Sequence, residues 1–110
     1  MKKLVIIGGT SGLGLSLAIE LRKRYSDANI LIIGQTKPND LCAKFSLDFL
    51  QIDLSSPHHD WNFCSESNFI VYTAGVGRIT PFYKIDEKDI NRTISINATN
   101  AIHLINSKKK

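Results

Sequence analysis

Leu4-Val5-Ile6-Ile7-Gly8-Gly9-Thr10-Ser11-Gly12-Leu13-Gly14, running on into Leu15-Ser16-Leu17-Ala18-Ile19-Glu20-Leu21, decides the fold of this chain. The four aliphatic residues before the glycines suit a strand covered on both faces, as in a parallel sheet. Leu17, Ala18, Leu21 and Tyr25 then recur at helical spacing, which predicts an amphipathic helix. A strand, a glycine turn and a helix in that order aim the first backbone amides of the helix at open space. Those amides have no partner within the helix, and the positive end of the helix dipole lies beside them, so the turn is an anion site suited to phosphate.

Outward from this stretch the pattern repeats. Asn29-Ile30-Leu31-Ile32-Ile33-Gly34 is a second apolar run closing on glycine, and the intervening helix makes a right-handed βαβ unit. Pro38-Asn39-Asp40 breaks the chain, and Leu41 to Phe45 has room for one or two helical turns. A third strand is expected over Leu47 to Leu54 and a fourth over Asn68 to Thr73, the latter leading into Ala74-Gly75. Between them, Ser56 before Pro57 is a helix start, and Trp61 is available to pack this short connection onto the sheet. The resulting expectation is an α/β fold with four parallel strands in the order 3-2-1-4, helices on both faces and a ligand at the switch point over Gly8 to Gly14.

The last element is expected to be one long helix. Asp86 is its N-cap, Glu87 and Asp89 suit the first turn, and Ile90, Ile94, Ala98, Ala101, Ile102 and Ile105 form an apolar stripe. Asn97 lies on that stripe, so it is expected to face inward, either as a local polar plug or as a functional amide.

The glycine spacing, Gly8-x-x-x-Gly12-x-Gly14, is neither G-x-G-x-x-G nor a P-loop, whose Gly-Lys-Ser/Thr ending is missing. It resembles the short-chain dehydrogenase/reductase family, whose run is commonly Thr-Gly-x-x-x-Gly-x-Gly; Ile7 stands in place of the threonine. Ala74-Gly75 matches the end of the family's Asn-Asn-Ala-Gly signature, with Tyr72 and Thr73 replacing the asparagines, and Pro81-Phe82 is also common at its place. The resemblance implies a Rossmann-like three-layer fold and an NAD(P)-dependent oxidoreductase that passes hydride between a nicotinamide and a carbonyl or alcohol. It assigns the cofactor to Gly8, Thr10, Ser11, Gly12, Leu13 and Gly14, to Gln35 and Lys37 after the second strand, and to Ala74 and Gly75. It further implies that Asp53 accepts the adenine amino group while the Leu54 amide meets a ring nitrogen. Asn97, in Ile94-Ser95-Ile96-Asn97-Ala98, corresponds to a catalytic-site asparagine.

The second strand ends without a carboxylate until Asp40, whereas Thr10, Ser11 and Lys37 can all donate to a phosphate, so NADP is expected, with NAD the alternative. Lys37 as a solvated loop lysine stays open beside that reading. The family's catalytic Tyr-x-x-x-Lys pair is missing, because Tyr25, Tyr72 and Tyr83 are followed four residues later by Asn29, Val76 and Glu87. The sequence is therefore read as the dinucleotide-binding half of a dehydrogenase, truncated before a fifth strand, with a non-catalytic nucleotide-binding or interaction module as the other reading.

Composition sets the remaining bounds. At 110 residues with 43% hydrophobic and 22% charged residues, a single globular domain is expected. The net charge is +4, yet Lys2, Lys3, Lys108, Lys109 and Lys110 lie at the ends of the sequence and are read as solvated, which leaves the body close to neutral and is poor support for nucleic-acid binding. No apolar run has the length of a signal or a membrane span, so a cytoplasmic location is expected. Cys42 and Cys64 lack metal or redox spacing and are read as reduced thiols, and His58-His59-Asp60 lacks a second ligand cluster, so no metal is expected. An apolar fourth strand at the sheet edge makes a homo-oligomer a possible partner state.

Overall fold

The computed structural model describes residues 2–57, 60–74 and 87–108. Gly75 to Asp86, His58 and His59, Lys109 and Lys110 fall outside them, and with them the expectations for Gly75, Pro81-Phe82, the Asp86 cap and the histidine pair; so do the side chains of Asp89, Ile90 and residues 106–108, and with these the expectation for the lysines at the end of the sequence. The chain divides into two compact units, Met1–Asp53 with Cys64–Ala74 and Leu54–Phe63 with Gly75–Lys110.

The first unit is built on a parallel sheet. β1 (Lys3–Ile7), β2 (Asn29–Gly34), β3 (Asp48–Gln51) and β4 (Phe69–Tyr72) stand in the order β3-β2-β1-β4, as the right-handed crossover rule predicts. Val5 lies opposite Leu31 on one side and Ile70 on the other, and Ile33 lies opposite Leu50. Val5, Ile6, Ile7, Ile30, Ile32 and Ile33 are all at 0% exposure, which is what an unbroken apolar run requires of a strand covered on both faces. β3 is shorter than expected, so Asp53 lies beyond its end instead of within it.

α1 (Gly12–Arg24) lays Ala18 into the core, with Leu15, Leu17 and Leu21 against it. Tyr25, expected on the apolar face, is instead exposed at the helix C-cap, where the Lys2 ammonium sits 4.4 Å from its ring centroid. The last turn of α1 leaves carbonyls without amide partners. Arg22 supplies donors to four of the carbonyls around the ends of α1 and α2 (Asn39–Phe45), those of Tyr25, Ser26, Phe45 and Ser46. One planar guanidinium thus ties two helix ends together. Lys3, expected as a solvated end, is also bound in: its Nζ donates to Ser65 O, and its backbone exchanges bonds with Asn68 at the start of β4.

The second unit holds α3 (Glu87–Ile94), a π-helical turn (Ser95–Thr99) and α4 (Asn100–Lys108), together with the Leu54–Phe63 segment. Among the described residues after Ser56-Pro57 the predicted helix is not found. Asp60 Oδ1 accepts from the Asn62 amide and only a 3-10 turn, Asn62–Cys64, follows. Trp61 is buried, 5.6 Å from the Phe63 ring. In the long helix the Asn100 amide donates to Ser95 O, the five-residue bond of a π turn, which inserts one extra residue into the helical repeat.

Candidate functional site

The glycine turn is closed from below by backbone. Gly8 has φ +90°, a left-handed conformation that disfavours a side chain, and a Cβ there would lie 2.5 Å from Ala74 N. Its N–H and that of Gly9 donate to Ile33 O at 2.8 and 3.2 Å, folding the turn onto the end of β2. Gly14 packs so closely on Gly8 O and the Thr73 hydroxyl that any side chain would displace them. Gly12 is different: at φ +53°, no described residue beyond its chain neighbours and its own helix backbone comes within 4 Å of a would-be Cβ, so among the described residues the turn is open on that side.

The same region draws in β4. Ile7 O receives Thr73 N at 2.7 Å, Ala74 N at 3.1 Å and Thr73 Oγ1 at 3.0 Å. Thr73, which replaces an asparagine of the resembled signature, therefore still ties β4 to β1 through its hydroxyl. Thr10 lies against Gly34, which brings the loop after β1 beside the end of β2. Ser11 holds the N-cap position of α1 in extended backbone, but its side chain makes no capping bond. The first amides of α1 consequently lack the usual side-chain acceptor. No acidic residue stands in that turn, and Leu13 is 78% exposed beside it.

Beyond β2 the exposed Gln35 donates from Nε2 to Asp53 Oδ1 at 2.8 Å, and Gln51 Nε2 donates to Gln35 O at 3.1 Å. Lys37 is exposed, and its charge acts on the Cys42 thiol, lowering a pKa that burial raises more. Gly8, Thr10, Gly12, Gly14, Gln35, Asp53 and Ala74 thus gather at the carboxyl ends of β1, β2, β3 and β4, the end at which open α/β sheets bind ligands. A groove of about 370 Å³ lined by Lys2, Leu4, Leu21, Tyr25, Asn68 and Phe69 sits at the opposite, amino end of the strands, and on the same rule it is not the site.

Leu54 and Asn97 belong to the helical unit. Leu54 is buried, and its carbonyl accepts from Asn100 Nδ2 at 3.0 Å. Asn97 shares the side of the helix that carries Ile94, Ala98 and Ile102, as the spacing predicts, but that side is exposed and not inward. The buried line is Ser95, Ile96, Asn100 and Leu104. Asn100, which the sequence reading missed, is wholly buried and donates also to Ser56 O at 2.9 Å. Its position four residues from both Ile96 and Leu104 was the available signal. Asn97 stands in the π-helical turn, a feature common at functional sites.

Among the described residues no group of His, Cys, Asp and Glu could hold a metal ion, both cysteines are free and buried, and no helix is long and apolar enough to cross a membrane.

The model of the short chain dehydrogenase family matches residues 2–108. Among solved structures, the bulky-bulky ketone specific alcohol dehydrogenase from Comamonas testosteroni is similar at 19% identity and TM-score 0.82, covering 97% of this chain and 47% of that one. A short-chain dehydrogenase from Sphingobium yanoikuyae in complex with NADPH is similar at 20% identity and TM-score 0.81, with the same two coverages of 97% and 47%. A short-chain dehydrogenase/reductase from Brucella melitensis reaches 25% identity and TM-score 0.74 over 96% of this chain and 49% of its own. The chain spans about half the length of these structures. No curated protein matches it.

Proposed function

The chain belongs to the short-chain dehydrogenase family, and from that premise we propose that it binds the dinucleotide of an NAD(P)-dependent oxidoreductase, NADP in preference to NAD, and does not reduce a carbonyl by itself. The observation that carries this is the glycine turn: closed by Ala74 and Ile33 beneath, open above Gly12, with uncapped amides at the start of α1. Such a cradle fits a pyrophosphate, because hydrogen bonds to a charged group contribute about 1.5–3 kcal/mol each and only glycine lets the backbone approach closely. Gly8, Gly12 and Gly14 would hold the phosphates with Thr10 and Ser11. Leu13 would cover apolar cofactor surface, and Ala74 and Gly75 would leave room for the ribose. Gln35 and Lys37 would meet the adenosine ribose end, and Asp53 with the Leu54 amide would read the adenine. When bound, the nicotinamide supplies hydride to a small carbonyl or accepts it from an alcohol.

Asn97 is the one residue here read as part of a catalytic centre, a reading supported by its place in the π-helical turn. A neutral amide positions water or a lysine but cannot act as the general acid, which typically contributes about 10²–10⁴ in rate. No Tyr-x-x-x-Lys is present in the sequence to provide one. A cytoplasmic setting is part of this reading, supported by the two free buried thiols. So is self-association, supported by the exposed Phe69 in β4 and the exposed Ile94, Ile102 and Ile105; a stable monomer by sedimentation at high micromolar concentration would speak against it.

The test is titration of the 110-residue chain with NADPH and NADH, followed by assay against ketones and aldehydes. Saturable NADPH binding that Gly12→Trp abolishes is expected, since bulk at Gly12 meets the ligand; because the φ of +53° also strains any side chain there, circular dichroism must show that the variant keeps its fold. Absence of binding would overturn the dinucleotide reading. Turnover that Gly12→Trp removes would overturn the inactivity, and tight NADH binding without NADPH binding would overturn the cofactor preference alone.

A further inference from the structure

We infer that Gln35 is a positioning residue for base recognition: its side-chain amide holds the Asp53 carboxylate in the orientation in which that carboxylate reads an exocyclic amino group. The inference rests on the dinucleotide-binding reading above and adds to it a determinant of base specificity.

Three bonds build the arrangement. The β2–β3 register ends at Gly34 opposite Gln51, and the Ile52 amide continues it by donating to Gly34 O at 3.1 Å. Gln51 then reaches with its side chain to Gln35 O, 3.1 Å away. With its backbone held from two sides, Gln35 returns its own Nε2 to Asp53 Oδ1 at 2.8 Å. Asp53 is an exposed residue past the end of its strand. A carboxylate there spreads over several rotamers unless a partner selects one. A donor at this distance to an ionised acceptor is a charge-assisted bond, among the stronger kinds.

The chemistry of the pair explains why an amide suits position 35. An ammonium or guanidinium would neutralise the carboxylate, and a second carboxylate would repel it. A neutral NH₂ donor orients the charge and leaves it in place. An ionised carboxylate offers about four acceptor positions on its two oxygens, and the Gln35 bond occupies one of them, on Oδ1. The oxygen-bearing edge of hypoxanthine offers an acceptor in place of the exocyclic amino group and is disfavoured. Gln35 therefore acts through Asp53 on the choice of base, an effect separable from any contact it makes at the ribose end, which would treat both bases alike.

The experiment titrates the full chain with NADPH and with its hypoxanthine counterpart, deamino-NADPH, and takes the ratio of the two dissociation constants. Gln35→Met removes the side-chain donor and keeps the backbone carbonyl that Gln51 uses, while Gln35→Glu adds repulsion; circular dichroism confirms that each folds. Wild type is expected to prefer the adenine form by about tenfold or more. Gln35→Met should lower that ratio several-fold and Gln35→Glu at least as far, and Gln35→Met combined with Asp53→Ala should give the same ratio as Asp53→Ala alone. Equal weakening toward both dinucleotides in Gln35→Met, with the ratio intact, overturns the inference, as does a wild type that binds both without preference. Failure of the wild type to bind either overturns the functional reading beneath it as well, and so marks the two failures apart.

Discussion

Val5, Ile6, Ile7, Ile30, Ile32 and Ile33 in the sheet unit are wholly buried, whereas among the described residues of the helical unit Ile94, Ile102 and Ile105 are 51%, 56% and 58% exposed and the large side chain at 0% exposure is the amide of Asn100. The difference follows from how each element finds its cover. A parallel strand is flanked by other strands and faced by the crossover helices that its own connections bring, so its apolar run is buried as the topology forms. A helix has one apolar stripe and depends on whatever surface meets it. In this chain the buried side of the long helix is anchored by polar bonds, Asn100 to the carbonyls of Leu54 and Ser56, within the same unit.

The contrast is broken most severely at Gly8. Gly8→Val combines a left-handed backbone with a Cβ driven into Ala74, and it should destabilise the sheet unit by about 3 kcal/mol or more, seen as loss of a cooperative urea transition. An unchanged midpoint would mean that the turn adapts and that the sheet unit is less constrained than its packing indicates. Asn100→Leu asks whether the helical unit is held by polar bonds: it leaves two carbonyls without this donor and should cost about 2–3 kcal/mol despite the added apolar surface. Stabilisation by that substitution would place the helical unit under the same rule as the sheet.

A third test uses pH. Burial raises the pKa of Tyr72 above the ordinary 10.0, and burial, opposed by Lys37, raises that of Cys42 above 9.0. Both groups are neutral when protonated, and for each the folded value exceeds the unfolded one. Their contribution to stability is therefore fully present below the unfolded value and is lost as pH rises through the folded value. Thermal melts should hold level to about pH 9 and fall above it, by at most about 1.4 kcal/mol per pH unit for each group. Tyr72→Phe together with Cys42→Ala should flatten the fall; an unchanged slope would show that neither group controls it. The smallest effect is expected at Ile102→Lys, within about 0.5 kcal/mol by denaturant melt, because the side chain is already exposed. A large loss there would mean that the stripe is buried in solution, by a second copy or otherwise.

The local geometry of the candidate site was partly legible in the sequence. The positions of Gly8, Gly12, Gly14 and Ala74 follow from a strand, a tight turn and a helix in sequence, because backbone closeness leaves a mark in residue size. Asp53 was legible as an acid near a strand end, though not as the partner of Gln35, since that pair joins residues on two strands and forms only after β2 and β3 align. Asn97 and Asn100 show the opposite case. Counting by 3.6 places Asn97 on the apolar stripe, which is correct, but periodicity tells only which residues share a side and not which side is covered.

What the sequence by itself determined is the order of elements, the parallel sheet β3-β2-β1-β4 and the glycine turn at its carboxyl end, because each rests on local preference, short connections and the fixed hand of the crossover. Only the tertiary structure decided that Asn100 is the buried amide, that Arg22 gathers the helix-end carbonyls, that Thr73 ties β4 to β1 and that Gln35 holds Asp53. Each of those is a hydrogen bond between residues far apart in the chain, and a polar side chain carries no periodic signature of the acceptor it will meet once the backbone has brought that acceptor within about 3 Å.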